Sequence, residues 1–149
     1  MIDIVIEEKA WRTAEPRVRG LAKAAAAATL KAEGRADANV AILLAADARL
    51  QALNTAFRGK QGPTNVLSFP GSGPGPGDHL GDVALALGVC AREAAEQGKT
   101  LAAHLQHLTA HGVLHLLGYD HETDAEAEAM EAKERQVLAG LGVADPYAA

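Results

Sequence analysis

The sequence predicts a single α+β domain in which a mixed sheet of about four strands is covered by helices. Patterns typical of strands are confined to residues 2–87, whereas three helical segments fill the remainder of the chain. Strands early and helices late are typical of the α+β class. A length of 149 residues suits one compact domain over 1–149, and 48% hydrophobic residues are sufficient for its core.

The first three predicted elements are a strand, an alanine-rich helix and a second, buried strand. Ile2–Ile6 has isoleucine at every second position and predicts a strand. Pro16 suits the first turn of a helix, which ends at Gly34 because glycine readily takes the left-handed conformation beyond a helix. The apolar run Val40–Ala45 then predicts a buried strand.

A helix beginning at Asp47 places Leu50, Leu53 and Phe57 on one face. Glycine and proline interrupt it, because neither residue sustains a helix. The segments that follow are two predicted strands and an intervening loop rich in glycine and proline. The break lies at Gly59 and Gly62–Pro63, the strands at Val66–Phe69 and Leu80–Leu87, and the loop at 70–78.

Three helices are predicted in the last 61 residues, at Val89–Gln97, Leu101–Leu117 and Ala125–Leu138. Thr123 and Glu126 form a capping box before the last helix, since their spacing lets each side chain bind a free main-chain N–H group.

Composition and charge narrow the class of protein. The net charge is −5, divided into +3 over residues 1–60 and −8 over 61–149, so a general nucleic-acid coat protein is disfavoured. The lone Cys90 excludes an internal disulfide and a cysteine zinc site. The N-terminus lacks a secretion signal, and the longest apolar run, Val40–Ala46, is too short to cross a bilayer. We therefore expect a cytoplasmic protein that does not engage membranes.

Five of the six histidines lie between residues 104 and 121. On a helix, His104, His107, His111 and His115 fall on one stripe about 80° wide. His111 and His115 are four residues apart, so both can bind one ion. Helix termination at Gly118 then allows the chain to bring His121 toward the same ion.

Three imidazoles without a thiolate leave the fourth position of a tetrahedral zinc open to water, which is typical of a catalytic site. Asp120 is expected to orient a ligand ring. Gly112 stands where metalloproteases of the His-Glu-x-x-His type carry their glutamate, so that activity is disfavoured.

Other interpretations of the histidine stripe remain open on spacing alone. His107 and His111 are also four residues apart, and His104 precedes His107 by three, so these three form an alternative ligand set. A helix with partly solvated histidines and no metal is a further alternative.

The run HGVLHLLGYDH at 111–121 resembles the signature of the YbeY family of bacterial endoribonucleases, which act in ribosomal RNA maturation and ribosome quality control. The resemblance covers roughly 47–147. It includes Asn54, Arg58 and the run PTNVLSFP at 63–70, LGDV at 80–83, residues 127–134, and Pro146-Tyr147.

The resemblance implies that His111, His115 and His121 are zinc ligands and that Arg58 is catalytic. It implies a small α+β fold and a single-strand-specific endoribonuclease that matures the 3′ end of small-subunit ribosomal RNA in contact with the ribosome. Nickel, copper or iron also suit three imidazoles, so zinc is a preference. The resemblance includes Asp82, to which we assign no role.

Elementary chemistry is compatible with this activity. The planar guanidinium of Arg58 matches phosphate oxygens, although a cation at a helix end is a plainer interpretation. RNA binding by an acidic chain would depend on local cations such as Arg49, Arg58 and Lys60. Two rival functions stay open, namely a zinc hydrolase of a non-nucleic substrate and a non-catalytic ribosome-assembly factor whose metal pins the last helix to the sheet.

Overall fold

The structure, a computed structural model, describes residues 1–58, 64–71 and 79–148, and for Phe57 and Arg58 it describes the main chain only. The predicted break at Gly59 and Gly62–Pro63, and 72–78 of the predicted loop, lie outside the described residues. In the described parts of the chain, six helices accompany a four-stranded sheet.

The sheet is mixed, as predicted. Its strands are β1 (Ile2–Ile6), β2 (Asn39–Ala45), β3 (Val66–Pro70) and β4 (His79–Ala86), and their order is β1-β2-β4-β3. β1 and β4 both run parallel to β2, whereas β3 is antiparallel to β4. β3 is therefore an edge strand, joined to β4 along its length.

The helices are α1 (Ala10–Ala14), α2 (Val18–Ala32), α3 (Asp47–Arg58), α4 (Leu87–Glu96), α5 (Leu101–Leu116) and α6 (Asp124–Gly140). All but α1 were predicted, and the α+β class is confirmed. Among the described residues, no helix has both the length and the hydrophobicity that crossing a bilayer requires.

Residues that alternate along the strands build two cores on opposite faces of the sheet. Val40, Ile42 and Leu44 of β2 belong to the larger core, which includes residues of α2 and α5. Ala45 belongs to a smaller core with Leu50 of α3. Because α5 lies on the larger core and contacts β3 and β4, its C-terminal half reaches the antiparallel edge of the sheet.

Two local features differ from the sequence predictions because remote residues determine them. α1 is held by Trp11, which is fully buried and donates its Nε1–H to the carbonyl oxygen of Ala45 at 2.9 Å. α4 begins at Leu87, two residues early, and Asp47 accepts the main-chain N–H of Val89 at 3.1 Å. The Asp47 carboxylate thus caps α4 from another helix.

Candidate metal centre

α5 and the turn after it bring three imidazoles together. His111 and His115 lie one helical turn apart on α5, and Gly118, at φ 103°, lets the chain reverse so that His121 faces both of them. The ring centroids of His121 lie 5.6 Å from those of His111 and 5.0 Å from those of His115. One ligand atom from each residue lies within 4.8 Å of the others, an arrangement that could hold a metal ion.

The hydrogen bonds of His111 and His115 direct their Nε2 lone pairs at each other. Nδ1 of His115 lies 3.0 Å from the carbonyl oxygen of Tyr119, and Nδ1 of His111 lies 2.7 Å from Oε1 of Glu134. Both partners are acceptors, so both Nδ1 atoms carry the proton. The two Nε2 atoms are only 3.1 Å apart. Two nitrogen ligands of a tetrahedral zinc lie about 3.3 Å apart, so the donor pair fits such an ion.

Burial lowers the pKa of His115, and the neighbouring rings of His111 and His121 lower it further. The ring is therefore neutral at pH 7, which is the protonation state that binds a metal ion. Asp120, expected to orient a ligand ring, instead accepts the main-chain N–H of His121 at 2.8 Å. The Asp120 side chain thus shapes the turn that presents His121.

Glu134 of α6 is the buried carboxylate behind the site. It has no exposed surface, and its oxygens lie 2.7 Å from Nδ1 of His111, 3.0 Å from Nε2 of His107 and 2.5 Å from the hydroxyl of Tyr147. Burial opposes ionisation of Glu134, but these three hydrogen bonds outweigh it and lower the pKa to about 2. The carboxylate is therefore ionised and accepts from every partner.

The predicted stripe divides into residues with different partners. Nε2 of His104 lies 2.9 Å from Glu93 of α4, and Nε2 of His107 faces Glu134. Within the residues that the structure describes, His111, His115 and His121 are the group found able to hold an ion. The alternative set of His104, His107 and His111 is not brought together around one point.

α5 lies unusually close to the sheet at Gly112. A Cβ built there would lie 2.5 Å from Cγ1 of Val83 in β4, and the Gly112 carbonyl accepts the hydroxyl of Ser68 in β3 at 2.9 Å. Any side chain at this position would collide with the sheet. The close approach explains physically why a glutamate cannot occupy the position next to His111.

A cleft of about 750 Å³ adjoins the three histidines. Its other wall consists of β3 and neighbouring polar residues, among them Asn54 of α3, Thr64, Asn65 and Ser68. Asn65 is fixed by donating Nδ2–H to Glu93 at 3.0 Å. The cleft thus places hydrogen-bonding groups opposite the imidazoles.

The sequence predicted RNA binding by Arg49, Arg58 and Lys60 and assigned no role to Asp82; the structure describes the side chains of Arg49 and Asp82. Arg49 pairs with Glu7 at 3.3 Å. The side chain of Arg58 and all of Lys60 lie outside the described residues. Asp82 pairs with His79 at 2.7 Å and lines a second, largely apolar groove rather than the cleft.

Cys90 takes no part in the candidate site. Burial, together with the charge of Glu93, raises the pKa of its thiol to about 12. The sulfur is therefore neither a metal ligand nor a nucleophile at neutral pH.

Sequence reasoning missed Glu134, although a signal for it exists. Met130, Val137 and Leu138 form the buried face of α6, and Glu134 stands among them at helical spacing. An acidic residue on the apolar face of a helix requires a buried hydrogen-bond partner. The histidine stripe of the preceding helix is the set of polar side chains that could provide this partner.

Comparison with known proteins gives consistent matches. The family model described as endoribonuclease YbeY matches residues 3–142. A protein of that description from Maricaulis maris is 50% identical over 146 residues, covering 98% of this chain and 91% of its own. Another from a Chelativorans species is 47% identical, covering 99% and 93%. A solution structure of a Thermotoga maritima protein matches with a TM-score of 0.62 and 27% identity, covering 95% of this chain and 92% of that one.

Proposed function

Because this chain belongs to the YbeY endoribonuclease family, we propose that its 149 residues form one metal-dependent domain that cleaves ribosomal RNA during its maturation. The chain is an RNA-cleaving hydrolase. The observation that carries the metal dependence is the pair of deprotonated Nε2 atoms 3.1 Å apart at the wall of a polar cleft.

We assign His111, His115 and His121 as the ligands of one Zn2+. The geometry of the ligand atoms supports this assignment, because the unprotonated Nε2 atoms of His111 and His115 lie 3.1 Å apart and can bind the same ion. When bound, the ion supplies a Lewis acid for a phosphoryl oxygen and lowers the pKa of a coordinated water. Nickel, copper and iron accept the same ligands and are the competitors.

The residues of the chain provide orientation and substrate binding. The Tyr119 carbonyl and Glu134 hold the two α5 rings in the tautomer that leaves Nε2 without a proton. Across the cleft, Asn54 and Thr64 offer hydrogen-bonding groups to base edges and sugars. Such groups read bases that are not already paired, which supports a preference for single-stranded RNA.

Arg58 is proposed to bind a phosphate at this cleft. It ends α3 four residues after Asn54, which lines the cleft, and residues four apart share a helix face. Asp120 and Glu122 also line the cleft, so its described walls carry negative charge. The metal ion and the guanidinium of Arg58 would offset this negative charge, so that RNA could bind in the cleft.

The finer assignment is maturation of the 3′ end of small-subunit ribosomal RNA and ribosome quality control, in the cytoplasm and in contact with the ribosome. Its support is membership in the family. The acidic charge of the chain is consistent with recognition of RNA that is presented by a ribosomal particle rather than of free RNA in general.

The test is to purify the chain without a histidine tag or added metal and to measure bound metals by elemental analysis. Single-stranded ribosomal RNA fragments, peptides and esters are then offered before and after chelation. We expect RNA cleavage that is lost on chelation and restored by Zn2+. Cleavage of esters or peptides alone would identify a different hydrolase, and stability loss without any activity would indicate an assembly factor.

A further inference from the structure

We propose that Glu134 is a positioning residue for His111 and that Tyr147 fixes Glu134, which makes the C-terminal segment part of the metal centre. This inference rests on the proposed metal site, and it extends that site by residues that are not ligands. Tyr147 lies beyond the residues 3–142 that the family model matches.

The geometry at Glu134 leaves its carboxylate no freedom to turn. Oε1 accepts from His111 at 2.7 Å, and Oε2 accepts from His107 at 3.0 Å and from the Tyr147 hydroxyl at 2.5 Å. A carboxylate anchored at both oxygens holds the His111 ring in one orientation and one tautomer. That tautomer carries its proton on Nδ1 and leaves Nε2 free to bind metal.

The segment that carries Tyr147 is itself anchored to the helices. The Pro146 carbonyl oxygen accepts a hydrogen bond from the Lys99 ammonium group at 3.3 Å, and Asp145 forms an ion pair with Arg135 of α6 at 3.2 Å. The guanidinium of Arg135 also lies 5.4 Å from the centre of the Tyr147 ring. These contacts at Asp145, at Pro146 and at the Tyr147 ring favour one position for the Tyr147 hydroxyl.

Substituting Glu134→Gln converts an acceptor into an amide that can also donate. An amide N–H that faces His111 stabilises the tautomer with its proton on Nε2, and that tautomer cannot bind metal through Nε2. We expect Zn2+ affinity to fall about 10- to 100-fold, which is typical when a residue that orients a metal ligand is changed. Glu128→Gln, which changes an exposed glutamate on the same helix, is the matched control and should retain affinity.

Tyr147→Phe is the gentler variant, because it keeps the ring and removes one donor to Glu134. We expect a loss of Zn2+ affinity of about 2- to 10-fold, the range of a single hydrogen bond. Affinity is measured by competition with a chromogenic chelator, and folding is checked by circular dichroism. This variant keeps the inference testable if Glu134→Gln fails to fold.

The tautomer of His111 is a second readout, and it depends neither on RNA cleavage nor on bound metal. Nitrogen-15 NMR of the metal-free chain reports the tautomer of His111, and we expect the proton on Nδ1 in the native chain and a shift toward Nε2 in Glu134→Gln. Unchanged affinity and tautomer in both folded variants would overturn the positioning role while leaving the metal site intact. Failure of the native chain to bind Zn2+ would overturn the metal site itself and this inference with it.

Discussion

The close contact of α5 with the sheet predicts that one substitution, glycine to alanine, has opposite effects at two helical positions. A Cβ at Gly112 would lie 2.5 Å from Cγ1 of Val83, whereas a Cβ at Gly20 of α2 would meet nothing within 4 Å. Ordinary carbon contacts are about 3.5–4.0 Å, so Val83 or α5 must move by about 1 Å. Val83 is fully buried and branched at Cβ, and such side chains have little rotamer freedom.

The magnitudes follow from two competing effects. Alanine is better than glycine in a helix by about 0.8–1.0 kcal/mol, so Gly20→Ala should raise the free energy of unfolding by about that amount. At Gly112 the same gain is opposed by overpacking of about 1–3 kcal/mol. We therefore expect Gly112→Ala to be less stable than Gly20→Ala by about 1–3 kcal/mol and to melt several degrees lower, at roughly 2–4 °C per kcal/mol.

Urea unfolding followed by far-ultraviolet circular dichroism measures both variants against the native chain. Equal m-values would show that the denatured states are comparable. A Gly112→Ala variant as stable as Gly20→Ala would refute the reasoning, because the difference between the two isolates the steric contact with Val83.

Three further predictions concern the metal, pH and catalysis. His115→Ala and His121→Ala should each lose most bound metal in elemental analysis while His104→Ala retains it, and full occupancy in His121→Ala would contradict a three-ligand site. Burial lowers the pKa of His104 below the ordinary histidine value of 6.5, despite the opposing effect of Glu93. As the pH falls, His104 is therefore protonated in the unfolded chain before it is protonated in the folded chain. The contribution of His104 to the free energy of unfolding should be complete above about pH 6.5 and decline below it. Urea unfolding above and below pH 6.5 measures how the free energy of unfolding changes with pH. This change should be smaller in His104→Gln, and an equal change in that variant would contradict the assignment to His104. Arg58→Lys should keep its metal and melting temperature but lose RNA cleavage by about 10²–10³-fold, because lysine cannot bind phosphate bidentately; near-normal cleavage would instead make Arg58 a helix-end cation.

Elements whose signals are local can be predicted from the sequence alone. The apolar run of β2 and the helical spacing of α5 lie within single segments, so their periodicity was sufficient to predict them. The same regularity placed His111 and His115 one turn apart, and Gly118 marked where the chain could turn. A helix repeats its geometry every turn, and this alone fixes which residues share a face.

Which histidines act together, and which residues orient them, depends on contacts between distant segments. His107 is as well spaced from His111 as His115 is, yet Glu134 of α6 occupies Nε2 of His107, whereas it meets His111 at Nδ1 and leaves Nε2 of that ring free for an ion. The cap of α4 by Asp47 and the burial of Trp11 likewise join residues more than 30 positions apart. Such contacts depend on where distant segments dock, and the spacing within one segment does not encode the position of another.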